Sequence, residues 1–192
     1  SIDRDLIAKV AMYNYTAPSH ITALSEGMSK WRSVKKYNQD WNIYSPQKGR
    51  SLLDSMNYNY INDMLVFENE QIDFEIIVVS GWSDWIRAAQ IISRNLNKIG
   101  INASVRTYDF GTWFNKLQIG DFDLAIAWAE KGNTPYNLYR GLMSKKLVKP
   151  IGEIATVNWH RYGNEQIDDL CKLYEKTSDK KEIKEIIIKM QD

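Results

Sequence analysis

The chain has 192 residues, enough for one domain with a real core. Its 25 Lys and Arg against 24 Asp and Glu leave a formal charge of +1, which argues against a nucleic-acid partner or an anionic membrane drawn in by the field of the whole chain. A single cysteine, Cys171, excludes an intramolecular disulfide and a Cys-rich zinc site, and no apolar run reaches the roughly 18–20 residues of a membrane span.

Taken in order, Asp3 is placed to cap a helix over residues 3–13 with Leu6, Ile7 and Val10 on one face. Residues 14–42 hold Pro18, His20, Gly27, Trp31 and Trp41 without a clear period and read as a long ordered loop. Ser45 before Pro46 gives an N-cap and a first helical proline. The short helix they open is expected to end near Asn57, with Leu52, Leu53 and Met56 as its buried stripe. Residues 74–79, apolar but for Glu75 and largely β-branched, form a run of the buried-strand type, turned by Ser80 and Gly81. From 83 to 99, Trp85, Ala88, Ala89, Ile92, Leu96 and Ile99 recur at helical spacing, and Gly100 supplies the stop.

Residues 103–108 then alternate as a strand, 111–119 read as a short helix, and 122–128 as a second apolar strand ending at Trp128. Alternating strands and helices predict crossover connections, hence an α/β fold with a central, largely parallel or mixed sheet flanked by helices. After Pro135 comes a helix over 136–143, then an irregular stretch to Gly163. Asn164 caps a helix carrying Ile167, Leu170, Cys171 and Tyr174. A final helical pattern carries Ile183, Ile187 and Met190 to Asp192 without a stop signal, so the parent chain is expected to continue. No internal repeat or low-complexity segment is present.

The chain carries, in this order, an Asp-Arg helix start within residues 1–10, Tyr44-Ser45-Pro46-Gln47-Lys48 before Leu52-Leu53, Leu96-Asn97-Lys98-Ile99-Gly100-Ile101, and Gly120-Asp121-Phe122-Asp123. These four motifs together resemble the oligopeptide/dipeptide-type extracellular solute-binding proteins of ATP-binding-cassette importers, family 5. Gly81-Trp82-Ser83-Asp84-Trp85, Ala127-Trp128, Tyr136-Asn137-Leu138-Tyr139-Arg140 and Lys149-Pro150-Ile151-Gly152-Glu153 are most similar to the branch that binds cello-oligosaccharides. The resemblance implies a periplasmic-binding-protein type II-like lobe over residues 1–192, the second of two lobes that close over a ligand. It also implies an extracytoplasmic, monomeric protein, no cofactor, and a membrane permease as partner.

The site is expected where ligands collect in open parallel sheets, outside the carboxyl ends of the strands. Seven Trp and eleven Tyr are more than packing needs, and several stand beside Asn, Asp, Gly or Ser. Such rings cover the C–H faces of sugars or the side chains of peptides while their neighbours hydrogen-bond. Trp82 precedes the helical stripe and is free to project. Trp85 lies on the stripe, where core packing competes with ligand contact. Phe110 opens the second helix, where the resemblance places an aromatic against ligand, and Trp113 is expected against the sheet. Trp128, followed by Glu130-Lys131-Gly132-Asn133, is the leading single candidate.

Asn133, Tyr136 and Asn137 could exchange hydrogen bonds with a ligand or cap loop and helix. Arg140 suits an ion pair, with Asp84 or with a ligand, and His160 a surface position. The ring-rich turns favour an oligosaccharide such as cellobiose, with an oligopeptide as the alternative. Catalysis is not expected: Asp84 and Glu130, the acids a glycoside hydrolase would need, are explained by a helix first turn and a solvated loop. No nucleophile elbow, metal-ligand motif or phosphate loop occurs. A stand-alone interaction domain is the third reading.

Overall fold

The computed structural model describes residues 1–35, 37, 42–56, 58–68 and 70–192. Two compact units are distinguished: Ser1–Pro18, Gln39–Phe114 and Phe122–Ala127 form the first, and Ser19–Asn38, Asn115–Asp121 and Trp128–Asp192 the second.

In the first unit, Asp3 caps α1 (Arg4–Leu6) by accepting from the Leu6 N–H. The helix then widens into a π-helical turn, Ile7–Ala11. It stops short of the expected residue 13 because Tyr13 and Asn14 turn into the left-handed region, at φ 50° and 61°. The Ser45 hydroxyl caps α2 (Pro46–Ser55) through the Lys48 N–H. The expected buried stripe of α2 is corrected, for Leu52 is 48% and Met56 59% exposed and no residue of the helix is buried. Its apolar spacing is real, but the described residues do not cover that face. The expected helix end at Asn57 and the loop residue Trp41 lie outside the described residues.

A three-stranded antiparallel meander, not foreseen from the sequence, follows: β1 (Asn59–Ile61), β2 (Met64–Phe67) and β3 (Glu70–Gln71). Asn62 and Asp63, both at positive φ, make the two-residue turn joining β1 to β2. The parallel sheet is built on β4 (Asp73–Val79), which lies between β5 (Asn102–Tyr108) and β6 (Leu124–Ala125). β4 pairs with β5 along its whole length, from Asp73 opposite Asn102 to Val79 opposite Tyr108. β6 covers only Ile76 and Ile77. The strand expected over 122–128 is therefore two residues long, and Trp128 lies beyond it instead of ending it.

The crossover from β4 to β5 is α3 (Ser83–Asn97), whose Ala88, Ala89 and Ile91 are buried. Ile76, Val78, Ala89 and Ala103 form the core between sheet and helix, joined by Trp85, Ile92 and Leu96. Asn95, within this helix, is 3% exposed and accepts from the Asp3 N–H at 2.8 Å, which ties the start of the chain to α3. From β5 the chain enters α4 (Phe110–Ile119).

The second unit is helical: α5 (Tyr136–Met143), α6 (Glu165–Lys176) and α7 (Lys180–Lys189), with 3-10 turns at Glu26–Trp31 and Lys145–Leu147. Asn164 caps α6 through the Gln166 N–H, and Asp179 caps α7 through the N–H groups of Lys181 and Glu182. Tyr139, Ile167, Cys171, Ile186, Ile187 and Met190 build the core with Leu24, a loop residue. The buried Tyr139 hydroxyl donates to the Thr22 carbonyl at 2.8 Å, fastening the aperiodic segment to α5.

Gly100 links α3 to β5 at φ 88°, and a Cβ there would meet the Tyr60 ring at 2.5 Å and the Asp63 carbonyl oxygen at 2.9 Å. Backbone strain and a clash with main chain act together. Gly100→Ala is expected to lower stability by about 2–3 kcal/mol, read as a lower midpoint in urea unfolding at unchanged slope.

Candidate functional site

The first group of candidate residues forms at the carboxyl ends of β4 and β5. The Ser80 N–H donates to the Tyr108 carbonyl at 2.7 Å, holding the two strand ends level. Gly81 turns the chain at φ 84°, with open space where a Cβ would stand, so backbone freedom alone calls for glycine here. Trp82 is then the residue before α3, and Phe110 the first residue of α4.

Their rings face each other at 6.1 Å between centroids, tilted by 36°. Trp85 meets Trp82 edge to face at 4.7 Å, and Trp113 lies 6.3 Å from Trp82 and 5.7 Å from Phe110. Phe114 stacks on Phe110 at 5.7 Å. Trp113 is fully buried, Trp85 half-buried, and Trp82 and Phe110 are 39% and 49% exposed. The arrangement is a rim of two exposed rings on a floor of packed ones. Each well-placed aromatic pair adds about 0.5–1.5 kcal/mol beyond burial, so the rim is held in shape before any ligand arrives.

Polar groups beside the rim are engaged locally. The Tyr108 hydroxyl donates to Glu75 at 3.1 Å, and the Asp84 carboxylate accepts from the Trp85 N–H at 2.8 Å. The Asp109 carboxylate accepts from the Thr112 hydroxyl at 2.6 Å and the Thr112 N–H at 3.0 Å, closing the first turn of α4. Those bonds hold its carboxyl below the usual carboxylate range.

The second group lies in the second unit. Trp128, 38% exposed, meets Trp159 edge to face at 5.4 Å. The Trp159 indole N–H donates to the Ala155 carbonyl at 3.0 Å. The Arg161 guanidinium donates to the carbonyls of Trp159, Gln118 and Glu153, tying the end of α4 to two loop segments beside that ring. Asn137 donates to the Lys131 carbonyl at 3.0 Å and braces the loop, the capping role open to it from the sequence. Tyr136 stacks on Tyr174 at 4.1 Å, nearly parallel, and donates to Glu175 at 2.6 Å. Burial first, and then the Glu175 carboxylate, raise the Tyr136 hydroxyl above its ordinary pKa. Asn133, Arg140 and His160 are exposed, and a His160 ring nitrogen lies 2.7 Å from the Leu142 carbonyl.

Glu130, Lys131, Gly132, Thr134 and Pro135 border a cavity of about 330 Å³ whose other wall comes from Ala23, Leu24, Ser25 and Met28, with Leu24, Met28, Pro135 and Leu138 as apolar lining and Glu130 and Lys131 as charges; Asn133 does not line it. That wall was missed in the sequence. Its one signal is Leu24, an apolar residue in a polar stretch that is 1% exposed. Glu130 packs against Gly141, where a Cβ would meet its Cγ at 2.9 Å. Among the described residues no three His, Cys, Asp or Glu come together as a metal site.

The depressed carboxyl of Asp109 gives a pH test. A group whose folded pKa is depressed contributes stability above its unfolded value, near pH 4, and loses it as pH falls through the folded value. Asp109→Ala is therefore expected to lower the Tm at neutral pH, with the difference from wild type shrinking as the pH drops below about 4 in thermal scans.

Comparison with known proteins places this geometry. Residues 1–147 match the family described as bacterial extracellular solute-binding proteins, family 5 Middle. A curated relative, "Probable peptide-binding protein YejA" of Agrobacterium fabrum, is 37% identical over 65 residues, which is 33% of this chain and 10% of that protein. The crystal structure of the mannohexaose-bound periplasmic oligopeptide-binding protein of an oligopeptide ABC transporter from Thermotoga maritima superposes with a TM-score of 0.84 at 21% identity, covering 99% of this chain and 36% of that one. The periplasmic binding protein DppA of Helicobacter pylori, in complex with the peptide STSA, superposes at 0.75 with 23% identity, covering 99% and 33%. The chain thus spans about a third of the length of these two solved proteins. Sharing their fold along nearly its whole length, and matching the family over residues 1–147, the chain belongs to the bacterial extracellular solute-binding proteins of family 5.

Proposed function

We propose that this chain is part of the solute-binding component of an ABC importer, acting outside the cytoplasmic membrane. It holds an oligopeptide and hands it, unchanged, to a membrane permease. The observation that carries the reading is the exposed Trp82 and Phe110 pair at the carboxyl ends of a parallel sheet, in a chain of the family 5 solute-binding proteins. Two exposed rings over a packed aromatic floor provide a preformed apolar surface for a ligand side chain, with little ordering left to do on binding. Peptide is favoured because the Agrobacterium relative is named a probable peptide-binding protein and the Helicobacter structure holds a peptide.

In this reading the present chain supplies the second lobe of a two-lobe protein. Ligand stabilises the closed form by binding it more tightly than the open one. Asp84 and Glu130 serve structure: the first lies in the first turn of α3, the second packs against Gly141. In this reading the protein binds its ligand without hydrolysing it.

An oligosaccharide such as cellobiose is the second reading. Flat exposed rings suit sugar C–H faces, and the Thermotoga structure holds mannohexaose.

Calorimetry separates the two. A tri- or tetrapeptide is expected to give a saturable heat, and cellobiose and xylobiose none. Saturation by the sugars with no response to peptides reverses the assignment. Trp82→Ala and Phe110→Ala are each expected to weaken binding of the responding ligand by about tenfold or more, the usual loss for a central aromatic contact.

A further inference from the structure

The second unit has a further and larger cavity, of about 460 Å³, between the 3-10 turn Glu26–Trp31 and α7, sharing only Thr134 with the lining of the first. Lys30, Trp31, Thr134, Lys180, Ile183 and Lys184 line it. We infer that it is a second ligand site, for a small organic anion with an apolar, preferably flat, body and an acid group.

The lining divides by chemistry. Trp31 and Ile183, both half-buried, offer a ring and a branched chain as apolar walls. Around them stand three exposed lysines, Lys30 with its ammonium 5.7 Å from the centre of the Trp31 ring. Among the described residues the lining holds no carboxylate.

This concentration of charge is not explained by folding. Lys180 and Lys184 are four residues apart on α7, so they share a face and repel. Lys180 is also the first residue of the helix, where a cation opposes the helix dipole. Two of the free N–H groups there, those of Lys181 and Glu182, are already used by the Asp179 carboxylate. Attraction for an anion therefore comes from the ammonium groups and not from the helix end. An acid group among them relieves the mutual repulsion, while the body of the ligand covers Trp31 and Ile183. Volume favours a small molecule, since pockets of roughly 300–1,000 Å³ hold ligands of that size. Thr134 is not counted on as a donor, for its hydroxyl is 2.7 Å from the Tyr174 hydroxyl.

The test is a titration of the 192-residue chain, labelled with ¹⁵N at its tryptophan indoles, with Trp31→Phe identifying the Trp31 signal. Three probes are compared: 1-naphthoate, its neutral counterpart 1-naphthalenemethanol, and inorganic phosphate. Naphthoate is expected to shift the Trp31 signal saturably, and less tightly as salt rises. The alcohol and phosphate are each expected to bind more weakly by about tenfold or more. Lys180→Gln with Lys184→Gln, both at exposed positions, is expected to weaken naphthoate by a similar factor while leaving the other indole signals in place. A Trp31 signal unmoved by naphthoate, equal binding of the alcohol or of phosphate, or a double variant that binds naphthoate as wild type does would each overturn the inference. Because the probes read Trp31 and not the Trp82 rim, a negative result leaves the peptide proposal standing, and the reverse holds.

Discussion

The first unit depends on one constraint, the pairing of β4 on both of its edges while both of its faces are buried. Ile76, Ile77, Val78 and Val79 are each at most 2% exposed. With β5 on one edge and β6 on the other, every backbone group in the middle of β4 has a partner. A parallel neighbour cannot be reached by a tight turn, so the chain must leave the sheet, cover one face with α3 and return. The strand's carboxyl end is then the place where the chain has to turn out sharply. Gly81 makes that turn, and Trp82 is what the turn presents.

The strongest parts of this architecture were legible because they repeat a simple period or carry a chemical stop. The β4 run, the α3 stripe, the prolyl start of α2 and the Asn164 cap each have a mechanism that acts over a few residues. The meander of β1 to β3 was not legible, since strands of two to four residues contain too few positions for alternation to register. Its turn was written in Asn62 and Asp63, a pair that tolerates positive φ. The overrun of β6 has a different cause. Apolar residues continue past Ala125, but a strand lasts only as long as a neighbour pairs with it, and pairing is not a local property. The α2 stripe fails for a related reason: periodicity says which face is apolar, not whether anything covers it.

The candidate site divides along the same line. Trp82 and Phe110 were legible because each follows a strand end by two or three residues, and a strand end fixes position. Trp85, which the sequence leaves open between core and contact, packs edge to face against Trp82 and is half-buried. Tyr136 and Asn137 have the polar chemistry a ligand needs. Yet Glu175 takes the hydroxyl of one, and the Lys131 carbonyl takes the amide of the other. The sequence gives the donors, but only the fold says where they are directed. Leu24 makes the opposite case, a core residue that has no period around it at all.

What these arrangements share is the separation of polar from aromatic duty at the rim. Asp109 is bonded by Thr112, Asp84 by the Trp85 amide, and Tyr108 by Glu75, so these polar groups are each oriented by a local partner. The rings have the reverse arrangement. Trp113 is fully buried and touches both rim rings, and a buried indole cannot shift without opening a cavity in a core packed to the density of a crystal. The rim inherits its rigidity from that residue. Two outer rings anchored in this way keep their arrangement relative to each other.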